Sequence, residues 1–102
     1  MVDDIVEVLC KIKDPAVMKR FVGELFTPAE ITDVALRWRL LQLLHQNVSQ
    51  RSISAELGVS LCKITRGSKV LKRRASVTRD ILDRATGEKD ATHKRRLQRS
   101  RR

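Results

Sequence analysis

The sequence has no tyrosine, one tryptophan and two phenylalanines. All three aromatics fall before residue 49, so the second half of the chain lacks the rings expected of an interfacial membrane helix. Its longest apolar runs, Leu40-Leu41 and Leu43-Leu44, are far shorter than the roughly 20 residues a membrane span needs. Two cysteines, Cys10 and Cys62, cannot form a disulfide framework and point to a reducing compartment. No apolar stretch with a small-residue cleavage site follows Met1-Val2-Asp3-Asp4, so no signal peptide and a cytoplasmic location are expected. There is no alternating strand pattern, and neither Asn-Gly nor Asp-Gly occurs, which argues against a sheet. Secreted, membrane-spanning and disulfide-rich classes are excluded.

What is present is positive charge, unevenly spread. The 102 residues suit one domain and carry a formal net charge of +10. Residues 1–48 hold six basic and seven acidic side chains, residues 49–102 sixteen and five. A bland half joined to a strongly cationic one points to a polyanionic partner, most often nucleic acid.

The chain reads as helix with short breaks. Val2, Ile5, Val6, Leu9 and Ile12 follow helical spacing, and Cys10 reads as a core thiol beside them. Asp14-Pro15 suits a cap followed by proline at the first helical position, with Val17, Met18, Phe21, Val22 and Leu25 as the next apolar stripe. Thr27-Pro28-Ala29-Glu30 predicts a capping box opening a helix to about His45. Ile31, Val34, Ala35, Trp38, Leu41 and Leu44 give that helix one broad apolar face, expected to be largely buried, with Trp38 in the core or a dimer interface. Gln46-Asn47-Val48 reads as a turn, Ser49 and Ser60 as caps of shorter helices, and Ser76 as the cap of a last one ending at Thr86-Gly87. Residues 88–102, whose only sizeable apolar side chain is Leu97, are expected to be a disordered basic tail, leaving residues 1–87 as the folded domain.

The most specific signal lies in Gln50–Arg66. A helix-turn-helix needs a small residue where its helices cross, a residue tolerant of positive φ in the turn, and apolar side chains facing the core. Ser54, Gly58, and Ile53, Leu57, Val59 and Ile64 meet these needs. The exposed positions then fall to Gln50, Arg51, Leu61, Cys62, Lys63, Thr65 and Arg66, whose side chains can reach phosphates, base edges or thymine methyls. A plain helical hairpin with a C-capping glycine is the alternative.

From Leu61 to Lys72 the run, with Ile64-Thr65-Arg66-Gly67-Ser68 followed by Leu71-Lys72, resembles the recognition helix of the tryptophan repressor family. Ser49-Gln50-Arg51 and Phe26-Thr27-Pro28-Ala29-Glu30 resemble other parts of that family, so the likeness spans roughly residues 20–84. The resemblance implies an all-α, intertwined homodimer with one helix-turn-helix per subunit, repressing transcription by binding a double-stranded DNA operator. It adds Lys69 and Lys72 to the DNA-facing residues. It also implies L-tryptophan as a corepressor held by Thr27, Arg37, Arg66 and Gly67. Two positions depart from the pattern: Val70 stands where the ammonium-contacting serine is usual, and the spacing from Arg37 to Ser49 is one residue shorter, which leaves Leu36 as an alternative to Arg37. A second branch of the superfamily keeps the fold without the tryptophan site.

Nothing in the sequence suggests catalysis: there is no phosphate loop, nucleophile elbow or paired-carboxylate site. His45 and His93 lie outside any metal-ligand spacing, and neither cysteine has a CxxC partner. Neither an enzyme nor a metal or other cofactor is expected. The rival class is a basic RNA- or ribosome-associated protein that binds through its tail.

Overall fold

The computed structural model describes residues 2–86, and all regular structure in them is helical. The elements are α1 (Val2–Lys11), α2 (Pro15–Leu25), α3 (Pro28–His45), α4 (Gln50–Leu57) and α5 (Leu61–Lys72). A sixth, α6, occupies the described residues 77–86. The expected end at Gly87, the tail 88–102 and the domain boundary between them lie outside the described residues.

Local chemistry sets these boundaries. Before α2, Asp14 accepts a hydrogen bond from the Ala16 amide at 2.9 Å, with Pro15 in the first turn, where its missing N–H is no loss. Before α3 the capping box closes in both directions. The Thr27 amide donates to Glu30 Oε1 at 2.9 Å, and the Glu30 amide donates to Thr27 Oγ1 at 3.2 Å. Donation to the carboxylate from the Thr27 amide first, and from the Thr27 side chain second, holds the Glu30 carboxyl below its usual range. A carboxylate with a lowered folded-state pKa adds stability that is present above the unfolded value and is lost as pH falls through the folded one. The chain is therefore expected to lose stability on that acid limb. Acid titrations of unfolding should show Glu30→Gln lacking this component while it keeps the Thr27 cap; an unchanged acid limb would remove Glu30 as its source.

At the other end of α3, Asn47 adopts a left-handed φ of 64°. The Asn47 amide donates to the Leu44 carbonyl and the Val48 amide to the Leu43 carbonyl, each at 3.0 Å. This is a Schellman closure with asparagine in place of glycine, and Val48 packs back on the core beside it.

By contacts the chain forms two compact units, Met1–Leu36 and Arg37–Arg102. In the first, neither α1 nor α2 buries a residue. Val2, Val6, Val8, Val17 and Leu25 are exposed, and so is Cys10, contrary to its reading as a core thiol. The reason is the uncovered apolar side of α1, which leaves the thiol no interior to join.

The second unit holds the core: Leu40, Leu41, Leu43, Ile53, Val59, Ile64 and Leu82, with Leu44, Val48, Leu57 and Leu71 packed on it. The single apolar face expected of α3 is not what forms. Ile31, Val34 and Trp38 stay exposed, while Leu40, Leu41 and Leu43 are buried. At about 3.6 residues per turn, Ile31, Val34, Ala35 and Trp38 share one side, Leu40 and Leu43 lie roughly half a turn away, and Leu41 and Leu44 fall between. The buried stripe of α3 is rotated from the exposed one.

Candidate nucleic-acid interface

The pair α4–α5 is built from the turn outward. Ser49 caps α4 by accepting from the Ser52 amide at 3.2 Å, and Ser60 caps α5 by accepting from the Lys63 amide at 3.3 Å. Gly58 closes α4 at φ 65°, ψ 29°, its amide donating to the Ser54 carbonyl. A Cβ there would meet nothing within 4 Å, so the backbone angle, not crowding, calls for glycine. Ser54 is small, as the crossing requires, and its hydroxyl also donates to the Val59 carbonyl at 3.0 Å, tying α4 to the turn. Ile53 and Ile64 have no solvent exposure, Val59 is buried and Leu57 half-buried, so all four residues expected to face inward do so.

The outward surface carries the expected readers. Gln50, Arg51, Leu61, Cys62, Lys63, Thr65, Arg66, Lys69 and Lys72 are all exposed. Ile64, Gly67 and Leu71 turn α5 inward, which by helical geometry sends Cys62, Thr65, Arg66 and Lys69 to the opposite side. Leu61, Cys62, Thr65, Arg66 and Lys69 line one open depression on that side. Lys63 lies on a flank of the helix, apart from Leu61 and Thr65. No carboxylate belongs to α5, and among the described residues the Lys11–Glu7 ion pair and the His45–Asp83 hydrogen bond involve none of its cations. The face can neutralise phosphates and offer donors to base edges.

The four residues that the resemblance assigns to tryptophan are placed differently from one another. Thr27 belongs to the first unit, where its hydroxyl serves the capping box. Arg37 and Arg66 are exposed and belong to the second. Gly67 is buried against α3: a Cβ would lie 2.6 Å from Leu40 Cδ2 and 3.2 Å from Leu44 Cδ1. It is the point of close approach between α5 and α3, a packing role that sequence reading did not give it. Val70 is half-buried.

Ser76 caps α6 as expected, accepting from the Arg79 amide at 3.1 Å, and is also buried. The sequence reading misses three contacts. Arg79 donates to the carbonyls of Leu71 and Arg74. His45 Nε2 meets Asp83 Oδ1 at 2.6 Å. Among the described residues no group of His, Cys, Asp and Glu could hold a metal, and no helix is long and apolar enough to cross a membrane.

Residues 1–86 match the family described as Trp repressor protein. The chain belongs to that family. Among relatives of the Trp repressor family, the Trp operon repressor homolog of Xylella fastidiosa (strain 9a5c) is 38% identical over 65 residues, covering 63% of this chain and 71% of the relative. That of Chlamydia caviae is 39% identical over 70 residues, 68% of this chain and 69% of the relative. That of Vibrio parahaemolyticus is 37% identical over 79 residues, 76% and 77%. No solved structure matches at comparable significance. Membership places the chain in a class of transcription regulators.

Proposed function

We propose that the chain is a sequence-specific, DNA-binding transcriptional repressor that works as a homodimer with L-tryptophan as corepressor. The observation that carries this reading is the α4–Gly58–α5 unit, held from inside by Ile53, Ile64 and Gly67 and cationic outside. Lys69, Lys72 and Arg51 supply phosphate contacts and the counterion release that accompanies them. Thr65 and Lys63 have the donors for base edges, Gln50 stands at the start of α4, and Leu61 and Cys62 suit thymine methyls.

Dimerisation is supported by apolar surface that one chain leaves to water, Ile31, Val34 and Trp38 above all. A two-fold dimer that reads a palindromic site needs its two α5 helices about one DNA turn apart, roughly 34 Å.

For tryptophan, helical register favours Arg37 over Leu36. Gly67 faces Leu40, Leu41 and Leu44, and Arg37 lies one turn earlier on that row, whereas Leu36 is rotated away from it. Arg66, next to Gly67 on α5, can pair with the ligand carboxylate; Thr27 is assigned by the family resemblance alone. Val70 offers the ammonium no polar atom. A ligand that binds the ordered arrangement of α5 better than a loose one raises DNA affinity by that difference.

The test is selection of duplexes from a randomised pool by the full chain, then titrations with and without L-tryptophan. A palindromic preference, tightened by L-tryptophan, and calorimetric binding abolished in Arg66→Ala are expected. No heat at millimolar L-tryptophan with unchanged DNA affinity would place the chain in the corepressor-independent branch. Deleting residues 88–102 is expected to weaken all duplexes alike and to lower the salt slope by about 0.9 per lost phosphate contact. If the deletion abolished binding that was indifferent to sequence, the RNA- or ribosome-binding class would replace the repressor.

A further inference from the structure

We propose that Arg79 is a positioning residue for DNA recognition, acting through the C-terminal end of α5. The inference rests on α5 being the DNA-reading helix.

The last carbonyls of a helix lack intrahelical donors and need others. After α5 there is no left-handed glycine to supply the usual closure: Arg73 is extended at φ −60°, ψ 142°. The Arg73 amide donates to the Val70 carbonyl, and Arg79 serves the next carbonyl of α5 and one in the turn beyond it. Arg79 Nη1 donates to the Leu71 carbonyl at 3.2 Å and its Nη2 to the Arg74 carbonyl at 3.1 Å. A planar guanidinium can span two acceptors in this way, which the single ammonium of lysine cannot reproduce. The side chain is half-buried and turned to backbone oxygens.

The rest of α6 makes this contact a brace. Ser76, Arg79, Leu82 and Asp83 are spaced by threes and fours, so they share one face. Ser76 is the buried cap, Leu82 is in the core, and Asp83 reaches His45, the last residue of α3, at 2.6 Å. One side of α6 therefore grips the C-terminal ends of both α5 and α3. The N-terminal part of α5 is already fixed by the Ser60 cap and the Ser54–Val59 bond, its middle by Ile64 and Gly67. Arg79 removes the remaining freedom, the tilt of the far end. Base-edge hydrogen bonds tolerate only a few tenths of an ångström, so tilt weakens them far more than it weakens phosphate contacts.

The experiment uses the full chain, Arg79→Ala and Arg79→Lys, with two probes: a duplex selected by the wild type from a randomised pool, and an unrelated duplex of equal length. Arg79→Ala is expected to weaken the selected duplex by about tenfold, as loss of roughly one hydrogen bond would. The unrelated duplex should stay within about twofold, with the salt slope unchanged. Arg79→Lys should not restore discrimination. Amide exchange should accelerate near residues 70–74 while the Ile53 and Ile64 amides stay protected. Full rescue by lysine, or equal loss on both duplexes with a slope lower by about one, would make Arg79 a phosphate contact and overturn the proposal. Loss of protection throughout the core would reduce Arg79 to a stabilising residue and overturn it as well. A wild type that binds all duplexes alike overturns the DNA-reading function and this role with it. A discriminating wild type matched by Arg79→Ala overturns this role alone.

Discussion

Ile64→Ala is expected to lower the stability of the unit Arg37–Arg102 by about 2–5 kcal/mol, the range for truncating a fully buried Ile. Ile64 has no solvent exposure and stands among only seven buried apolar residues of the described part. A chain of 102 residues has about 5–15 kcal/mol in all, so the loss takes a large share of it. Thermal unfolding should shift down by roughly 8–40 °C, at about 4–8 °C per kcal/mol for a domain of this size. Leu61→Ala is the control. Leu61 is on the same helix but 59% exposed, so its truncation should leave the melting temperature almost unmoved while altering DNA preference. If the two variants melted alike, the inward side of α5 would not be the one described.

Gly67→Val is expected to separate α5 from α3. At Gly67 even a Cβ would come within 2.6 Å of Leu40 Cδ2, and Leu40 is itself buried and confined. Overpacking of this kind costs about 1–3 kcal/mol, and valine adds two methyls and a stiff χ1. Gly67→Ala is milder, because about 1 kcal/mol of helix propensity offsets part of the crowding. The order wild type, alanine, valine in urea unfolding checks this; a valine variant as stable as the wild type would mean that the crossing is looser than described. Loss of tryptophan response in Gly67→Ala with stability largely retained would instead support a direct role in the ligand pocket.

The helix boundaries were legible because their causes are local. Asp14, Thr27 with Glu30, Ser49, Gly58 and Ser60 act within a few residues of themselves, and each caps or closes the helix its sequence context predicts. The inward side of the helix-turn-helix was legible for the same reason, from Ile53 to Ile64. What escaped is tertiary. Arg79 bonds a carbonyl eight positions away and His45 meets Asp83 across 38, and nothing in spacing marks either pair. Likeness marks Gly67, but its crowding by Leu40 and Leu44 depends on how closely two helices approach. On α3 a single period through Ile31–Trp38 and Leu40–Leu44 merges two stripes that packing separates. The exposure of Cys10 follows from tertiary cover, which an apolar stripe does not guarantee within its own chain.

That division of α3 also bears on the order of events in folding. The core residues between Leu40 and Leu82 are close in sequence, a topology whose closure is fast and first-order. Ile31, Val34 and Trp38 take no part in that step. If a second copy covers them, their burial is bimolecular, and its rate scales with chain concentration. The two halves of one helix then report on two kinetic phases, and Trp38, the chain's single indole, is an intrinsic fluorophore for the second.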